Sequence, residues 1–266
     1  MGGARPLQSG RRRLDRGALT AALARAGFLA AGDEADALLR RAGGDPALLD
    51  GLLARRLRGE PLAWITGRAA FCDREIPVEV GVYVPRPHTE QLALRAVERL
   101  PPTGIAVDVC TGSGAVALTL SAHRPGARVV ATDIDPRAVA CATRNGVDAR
   151  RGDLYAPVPA ALAGRVDVVT GVVPYVPTPD LPLLQRDTFR FETALAYDGG
   201  PDGTALLRRA IAEGARFLRS GGALLLELGG DQADAVAGVL ARAGYTRTAV
   251  LADADGDVRG IEATLG

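Results

Sequence analysis

Lysine is absent from this sequence: all 32 basic side chains are arginine, set against 31 acidic residues. The resulting formal net charge of +1 argues against strong nonspecific nucleic-acid binding, which rests on phosphate neutralisation by a basic surface. An all-arginine set so evenly balanced by acids reflects coding composition rather than a selected surface chemistry. Cysteine is scarce. Cys72, Cys110 and Cys141 are widely spaced, odd in number and without metal-ligand spacing, which excludes a disulfide framework or a zinc site and leaves each as a small buried apolar residue. Long apolar runs are missing as well, and the polar, Arg-rich start has none of the character of a signal peptide. The expectation is a cytoplasmic protein with no membrane partner and no specific nucleic acid. Histidine is limited to His88 and His123.

What is there fits one medium-sized catalytic domain and a small accessory one, in a chain of 266 residues that can bury a substantial core. Residues 1–13, with the basic run Arg11-Arg12-Arg13, read as a disordered tail. Residues 14–68 carry Ala, Leu and Arg at helical spacing, broken at Gly27, at Gly32-Asp33 and at Gly43-Gly44-Asp45-Pro46, which predicts a domain of three or four short helices. Residues 69–84 lose that period; the alternation from Phe71 to Val80 predicts a linking β-hairpin. From 85 to 266, after a helix over about Thr89–Leu100, short β-branched runs alternate with helical segments. The runs are Ile105–Val109, Arg128–Thr132, Val166–Thr170 and Ala223–Leu228. Strands apolar on both faces and separated by helices predict a doubly wound α/β sheet covered on both sides. Thr246–Leu251 and Gly260–Leu265 have no helix between them and predict an antiparallel edge hairpin.

In such a sheet ligands gather at the carboxyl ends of the strands. The run from Asp108 through Thr111, Gly112 and Gly114 turns from strand to helix with glycines that admit a ligand to the backbone, and the helix N-terminus favours a carboxylate or phosphate. Asp133, at the end of the next strand with Ile134 behind it, is placed to accept from ribose hydroxyls. Asp153, followed by Leu154, is placed to accept from an adenine amino group, or else serves as a turn or cap residue. The glycine pattern alone also fits an NAD site, since Gly112, Gly114 and Ala117 match its spacing. Nothing downstream, however, resembles a hydride-transfer centre with a positioned histidine.

With these residues in place the sequence resembles the protein-(glutamine-N5) methyltransferase family, known as HemK or PrmC. The resemblance rests on Gly59-Glu60-Pro61-Leu62-Ala63 with Thr66-Gly67, on Pro85-Arg86-Pro87-His88-Thr89-Glu90, on the Asp108–Gly114 turn, and on Arg190-Phe191-Glu192 before Ala194-Leu195. It implies a Rossmann-like fold that binds S-adenosylmethionine (SAM) and releases S-adenosylhomocysteine. It also implies a helical domain that docks a protein substrate, and a cofactor and substrate wall that includes Arg86, Thr89 and Glu90.

The family's signature after the fourth strand is Asn-Pro-Pro-Tyr, and here the same place reads Val172-Val173-Pro174-Tyr175. In the family the Asn side chain accepts a hydrogen bond from the substrate NH2 group; valine accepts nothing through its side chain. An amide N–H left buried and unpaired costs about 1–3 kcal/mol. The expectation drawn from this departure is an N-methyltransferase with a rebuilt acceptor pocket. Its substrate would be a small molecule, such as a free amino acid, an amide or a guanidino group, with Glu90, Glu192 and Asp198 as the carboxylates that face it. One alternative is a divergent release-factor glutamine methyltransferase; another is a protein that binds SAM without catalysis.

Overall fold

The computed structural model describes residues 15–184 and 191–266. The expected tail over 1–13, and Arg190 of the Arg-Phe-Glu motif, lie outside the described residues. The chain divides into two compact units, Met1–Thr66 and Gly67–Gly266.

The first unit is helical: α1 (Arg16–Arg25), α2 (Ala31–Ala42), α3 (Pro46–Leu57) and the short α4 (Leu62–Thr66). Local chemistry sets the ends. Asp15 accepts from the Ala18 N–H at 2.8 Å to cap α1. Asp45 accepts from Ala47 and Leu48 ahead of α3, with Pro46 at the first position, where its missing N–H costs nothing. Gly43, at φ 58°, ends α2 in the left-handed conformation. Gly32-Asp33, read from sequence as a break, instead lies in the first turn of α2. There Asp33 and Glu34 complement the helix dipole, and the interruption falls earlier, at Gly27. Leu19, Leu23, Leu38, Leu52 and Ile65 form this unit's core, each worth roughly 1.5–3 kcal/mol when fully buried. Within it Arg56 donates to Glu34 through Nε at 2.6 Å and Nη2 at 2.9 Å, and its guanidinium lies 3.9 Å from the Phe28 ring centre.

The second unit opens with a hairpin, β1 (Arg68–Phe71) and β2 (Arg74–Pro77). Its two-residue turn places Cys72 and Asp73 at φ 47° and 57°, the left-handed pair that suits the twist of flanking strands. The hairpin therefore ends at Pro77; residues 78–84, included from sequence in the linking hairpin, run on without strand pairing. The order then continues α5 (Thr89–Arg99), β3 (Ile105–Val109), α6 (Ala115–His123), β4 (Arg128–Asp133), α7 (Pro136–Arg144), β5 (Asp148–Arg151) and β6 (Val166–Gly171). It closes with α8 (Ala205–Gly214), β7 (Leu218–Glu227), α9 (Gln232–Arg242), β8 (Tyr245–Ala252) and β9 (Val258–Leu265).

The main sheet has seven strands in the order β5-β4-β3-β6-β7-β9-β8. Strands β3 to β7 run parallel, and β9 enters antiparallel between β7 and β8. Strand alternation sends Val107, Val109, Leu224 and Leu226 to one face, against Leu207 and Ile211 of α8 and Val236 and Leu240 of α9. Ala106, Val168 and Leu225 go to the other face, against Leu92 and Ala96 of α5 and Leu120 of α6. Connections leave β3 for β4 on one side and reach β6 on the other, so a crevice opens beyond their carboxyl ends. Among the described residues no helix is long and apolar enough to cross a membrane.

Candidate functional site

Polar residues collect in that crevice because each strand there ends in a turn whose geometry its sequence dictates. After Val109 the chain turns sharply, with Cys110, Gly112 and Gly114 at φ 56°, 58° and 85°. At Gly114 any side chain would strike α7 and its flank: a Cβ would lie 2.8 Å from Val147 and 3.3 Å from Ala142. The glycine thus permits both the turn and the close packing of α6. At the end of β4, Asp133 accepts from the Gly112 N–H and the Asp135 N–H, each at 2.9 Å. One carboxylate therefore ties the first turn to the second. Burial raises its pKa against the pull of these backbone donors.

Around this junction lies a cavity of about 210 Å³. Its walls include Gly112, Asp133, Ile134, Asp153 and Leu154 of the sequence-derived cofactor set, and Val172 and Pro174 of the Val-Val-Pro-Tyr segment, the loop expected from sequence to hold the acceptor. Ile134, Leu154, Ala138 and Leu206 supply apolar surface for a flat ring, and the Asp133 carboxylate sits among them. An apolar slot beside a fixed carboxylate is what the adenosine part of SAM requires, so the donor set fits that cofactor. Asp153 accepts from Arg209 Nη2 at 2.9 Å, which holds its carboxylate at the cavity wall.

A smaller space adjoins it, lined by Thr89, Asp108, Thr111, Gly112, Ser113 and Val172 among others. The Ser113 hydroxyl is buried there without a hydrogen-bond partner. Asp108 accepts from Thr111 Oγ1 at 2.6 Å and from Thr170 Oγ1 at 2.7 Å. Burial outweighs both hydrogen bonds and pushes its carboxyl up to about 6.

Other expected site residues sit elsewhere. Val173 is 1% exposed and belongs to the core beneath the sheet, so of the two valines only Val172 reaches the cavities. Glu192 is 4% exposed and fully engaged: it accepts from the Val84 N–H at 2.7 Å, from Arg86 and from the Tyr197 hydroxyl. Arg86 is spent on the same cluster, with Tyr197 as a further acceptor at 2.8 Å and its guanidinium 4.9 Å from the Tyr83 ring centre. Tyr83 in turn meets Tyr197 edge-on at 5.6 Å and lines both cavities. Burial pushes its hydroxyl up to about 12. Asp198 accepts from Thr178 Oγ1 at 2.6 Å and from the Gly200 N–H at 3.0 Å, and lines neither cavity; nor does Glu90.

Several site residues escaped the sequence reading. Cys110, taken there for a buried core residue, is only partly buried and lines both cavities. Tyr83 and Arg209 carried no motif signal. Glu227 did carry one, a lone carboxylate closing an apolar strand. It is 1% exposed and accepts from Thr89 Oγ1 at 2.5 Å, from the Tyr175 hydroxyl at 3.0 Å and from His88 Nε2 at 3.2 Å. Among the described residues no cluster of His, Cys, Asp and Glu is gathered to hold a metal.

No family model matches the chain. It is 34% identical over 222 residues to a release factor glutamine methyltransferase of Geobacter sulfurreducens, covering 81% of this chain and 77% of that protein. It is 40% identical over 210 residues to the protein of the same name from Moorella thermoacetica, covering 75% of this chain and 73% of that one. Among solved structures it is similar to the E. cuniculi Mtq2-Trm112 complex responsible for methylation of the eRF1 translation termination factor, with TM-score 0.51 and 25% identity over 70% of this chain and 99% of that one. The ribosomal protein L11 methylase of Lactobacillus delbrueckii shares the fold, with TM-score 0.52 and 18% identity over 72% and 86% of the two chains.

Proposed function

The chain belongs to the release factor glutamine methyltransferase family, and on that footing we propose that it methylates the side-chain amide nitrogen of a glutamine in a translation release factor. It is a SAM-dependent methyltransferase with a Rossmann-like fold. The observation that carries the finer reading is the place of the acceptor loop: Val172 and Pro174 line the same cavity as Gly112 and Asp133, so an acceptor held by this loop meets the cofactor turn directly. The small-molecule reading drawn from the missing asparagine finds no support among the relatives, and the release-factor alternative is the one they favour.

SAM, when bound, supplies an electrophilic methyl group. The chain's own residues do the placing. Asp133 offers carboxylate oxygens to the ribose, Asp153 stands at the adenine end, and the N-terminus of α6 with the Ser113 hydroxyl faces the charged tail. On the acceptor side Val172 contributes shape and exclusion of water rather than a hydrogen bond. Orientation of the amide then falls to backbone carbonyls of the loop, and catalysis rests chiefly on holding the nitrogen in line.

The test is mass spectrometry of the purified protein incubated with SAM and a release factor, beside a panel of free Gln, Asn and Arg. One added methyl on a release-factor glutamine, with the free amino acids untouched, is the expected result. Methylation of a free amino acid with the release factor unchanged would overturn the proposal.

A further inference from the structure

We infer that Glu227 is a positioning residue for methyl transfer, acting through the Tyr175 hydroxyl to fix the loop whose Val172 and Pro174 line the larger cavity. The inference rests on the methyl-transfer reading above and adds to it a residue outside the cofactor turn and the acceptor loop.

Glu227 is the last residue of β7, at the carboxyl end of the sheet where the crevice opens. A carboxylate that is 1% exposed is costly unless its oxygens are filled, and here three donors from two other segments fill them. Oε1 receives the Tyr175 hydroxyl and His88 Nε2; Oε2 receives Thr89 Oγ1. Tyr175 ends the acceptor loop, and Thr89 lines the smaller cavity. One side chain therefore couples the acceptor loop to the start of α5.

The other end of Tyr175 is also held: its carbonyl accepts from Gln232 Nε2 at 2.7 Å. With the backbone fixed there and the hydroxyl fixed at Glu227, the ring keeps one orientation. A valine at position 172 gives the acceptor no side-chain hydrogen bond, so orientation depends more heavily on the loop backbone that Tyr175 anchors. A carboxylate is suited to the task because both of its oxygens accept, whereas an amide has a single acceptor oxygen for the three donors.

The experiment compares the intact protein with Glu227→Leu, Tyr175→Phe and the double variant, measuring kcat and KM for SAM with a release factor as acceptor. Binding of S-adenosylhomocysteine and thermal melting serve as controls for folding. Loss of one oriented hydrogen bond should lower kcat about tenfold in each single variant, with KM for SAM within about twofold of wild type. Because both changes sever one link, the double variant should lose no more than about the same tenfold. Additive losses, or a Glu227→Leu enzyme with wild-type kcat, would overturn the inference. A wild-type protein inactive on the release factor would instead refute the substrate reading. In that case the 13Cζ resonance of labelled Tyr175 decides: Glu227→Leu should shift it more than that of any other tyrosine, and an unmoved resonance would refute the positioning role.

Discussion

Thr170 on β6 donates to Asp108 on the neighbouring β3 at 2.7 Å, a hydrogen bond between two strands made by side chains within the sheet's interior. It partners a carboxyl whose pKa in the folded protein is about 6 rather than 3.8. The folded state therefore holds this proton more tightly than the unfolded chain does, and the stability so gained is complete below about pH 4 and lost as pH rises through 6. Asp108→Asn stays neutral throughout. Its stability relative to wild type should rise by up to about 3 kcal/mol between pH 4 and pH 7, read from urea denaturation at a series of pH values. A pH-independent difference would show that Asp108 is not carrying a raised pKa.

The Arg86–Glu192 pair joins two segments 106 residues apart, and its carboxylate side chain is 1% exposed. Removing one partner of a buried pair is worse than never having had it, because a desolvated charge remains. Arg86→Ala should lower stability by about 3 kcal/mol and weaken S-adenosylhomocysteine binding, since Tyr83 loses the guanidinium beside its ring and Tyr83 lines the cavity. Arg86→Met, which keeps the length without the charge, should fare no better in stability. Chemical denaturation and calorimetric titration read the two effects separately.

Restoring the side-chain acceptor should raise the rate. Val172→Asn puts an amide oxygen at a position that lines both cavities, where a substrate NH2 would otherwise find only methyl groups. The expected gain is about tenfold in kcat on a release-factor glutamine, with affinity for S-adenosylhomocysteine unchanged. Steady-state kinetics measure it, and an unchanged or lower kcat would mean that backbone carbonyls already satisfy the amide.

What could be read in advance divides along the distance between cooperating residues. Asp133 and the Gly112–Gly114 turn were legible because each belongs to a strand end whose pattern is local, and the two lie about one β-α-β step apart. Strands β3, β4 and β6 were equally plain from their β-branched runs. Glu227 was passed over because its meaning comes from Tyr175 and His88, which are 52 and 139 residues away and reach it only once β6, β7 and α5 are assembled. Glu192 was picked out as a substrate carboxylate by its motif, yet the fold fills it with Val84, Arg86 and Tyr197. Cys110 looked like core because small thiols usually are; only the left-handed turn brings it to a cavity wall. Spacing shows which residues stand at strand ends, and tertiary contact decides which of them remain free to meet a ligand.

The insertion of β9 between β7 and β8 has a consequence for how the enzyme is made. Strand β7 pairs with β6 on one side, but its other edge, including Glu227 opposite Gly260, has no partner until β9 is present. During synthesis the nucleotide half of the sheet, β3 through β6, can close while Val258–Leu265 is still inside the ribosome. The carboxylate that gathers Tyr175, His88 and Thr89 then sits on an open strand edge. Cofactor-binding competence should therefore arise on the nascent chain before acceptor competence, and a ribosome stalled ahead of β9 would display a sheet edge ready to pair with whatever strand is nearest.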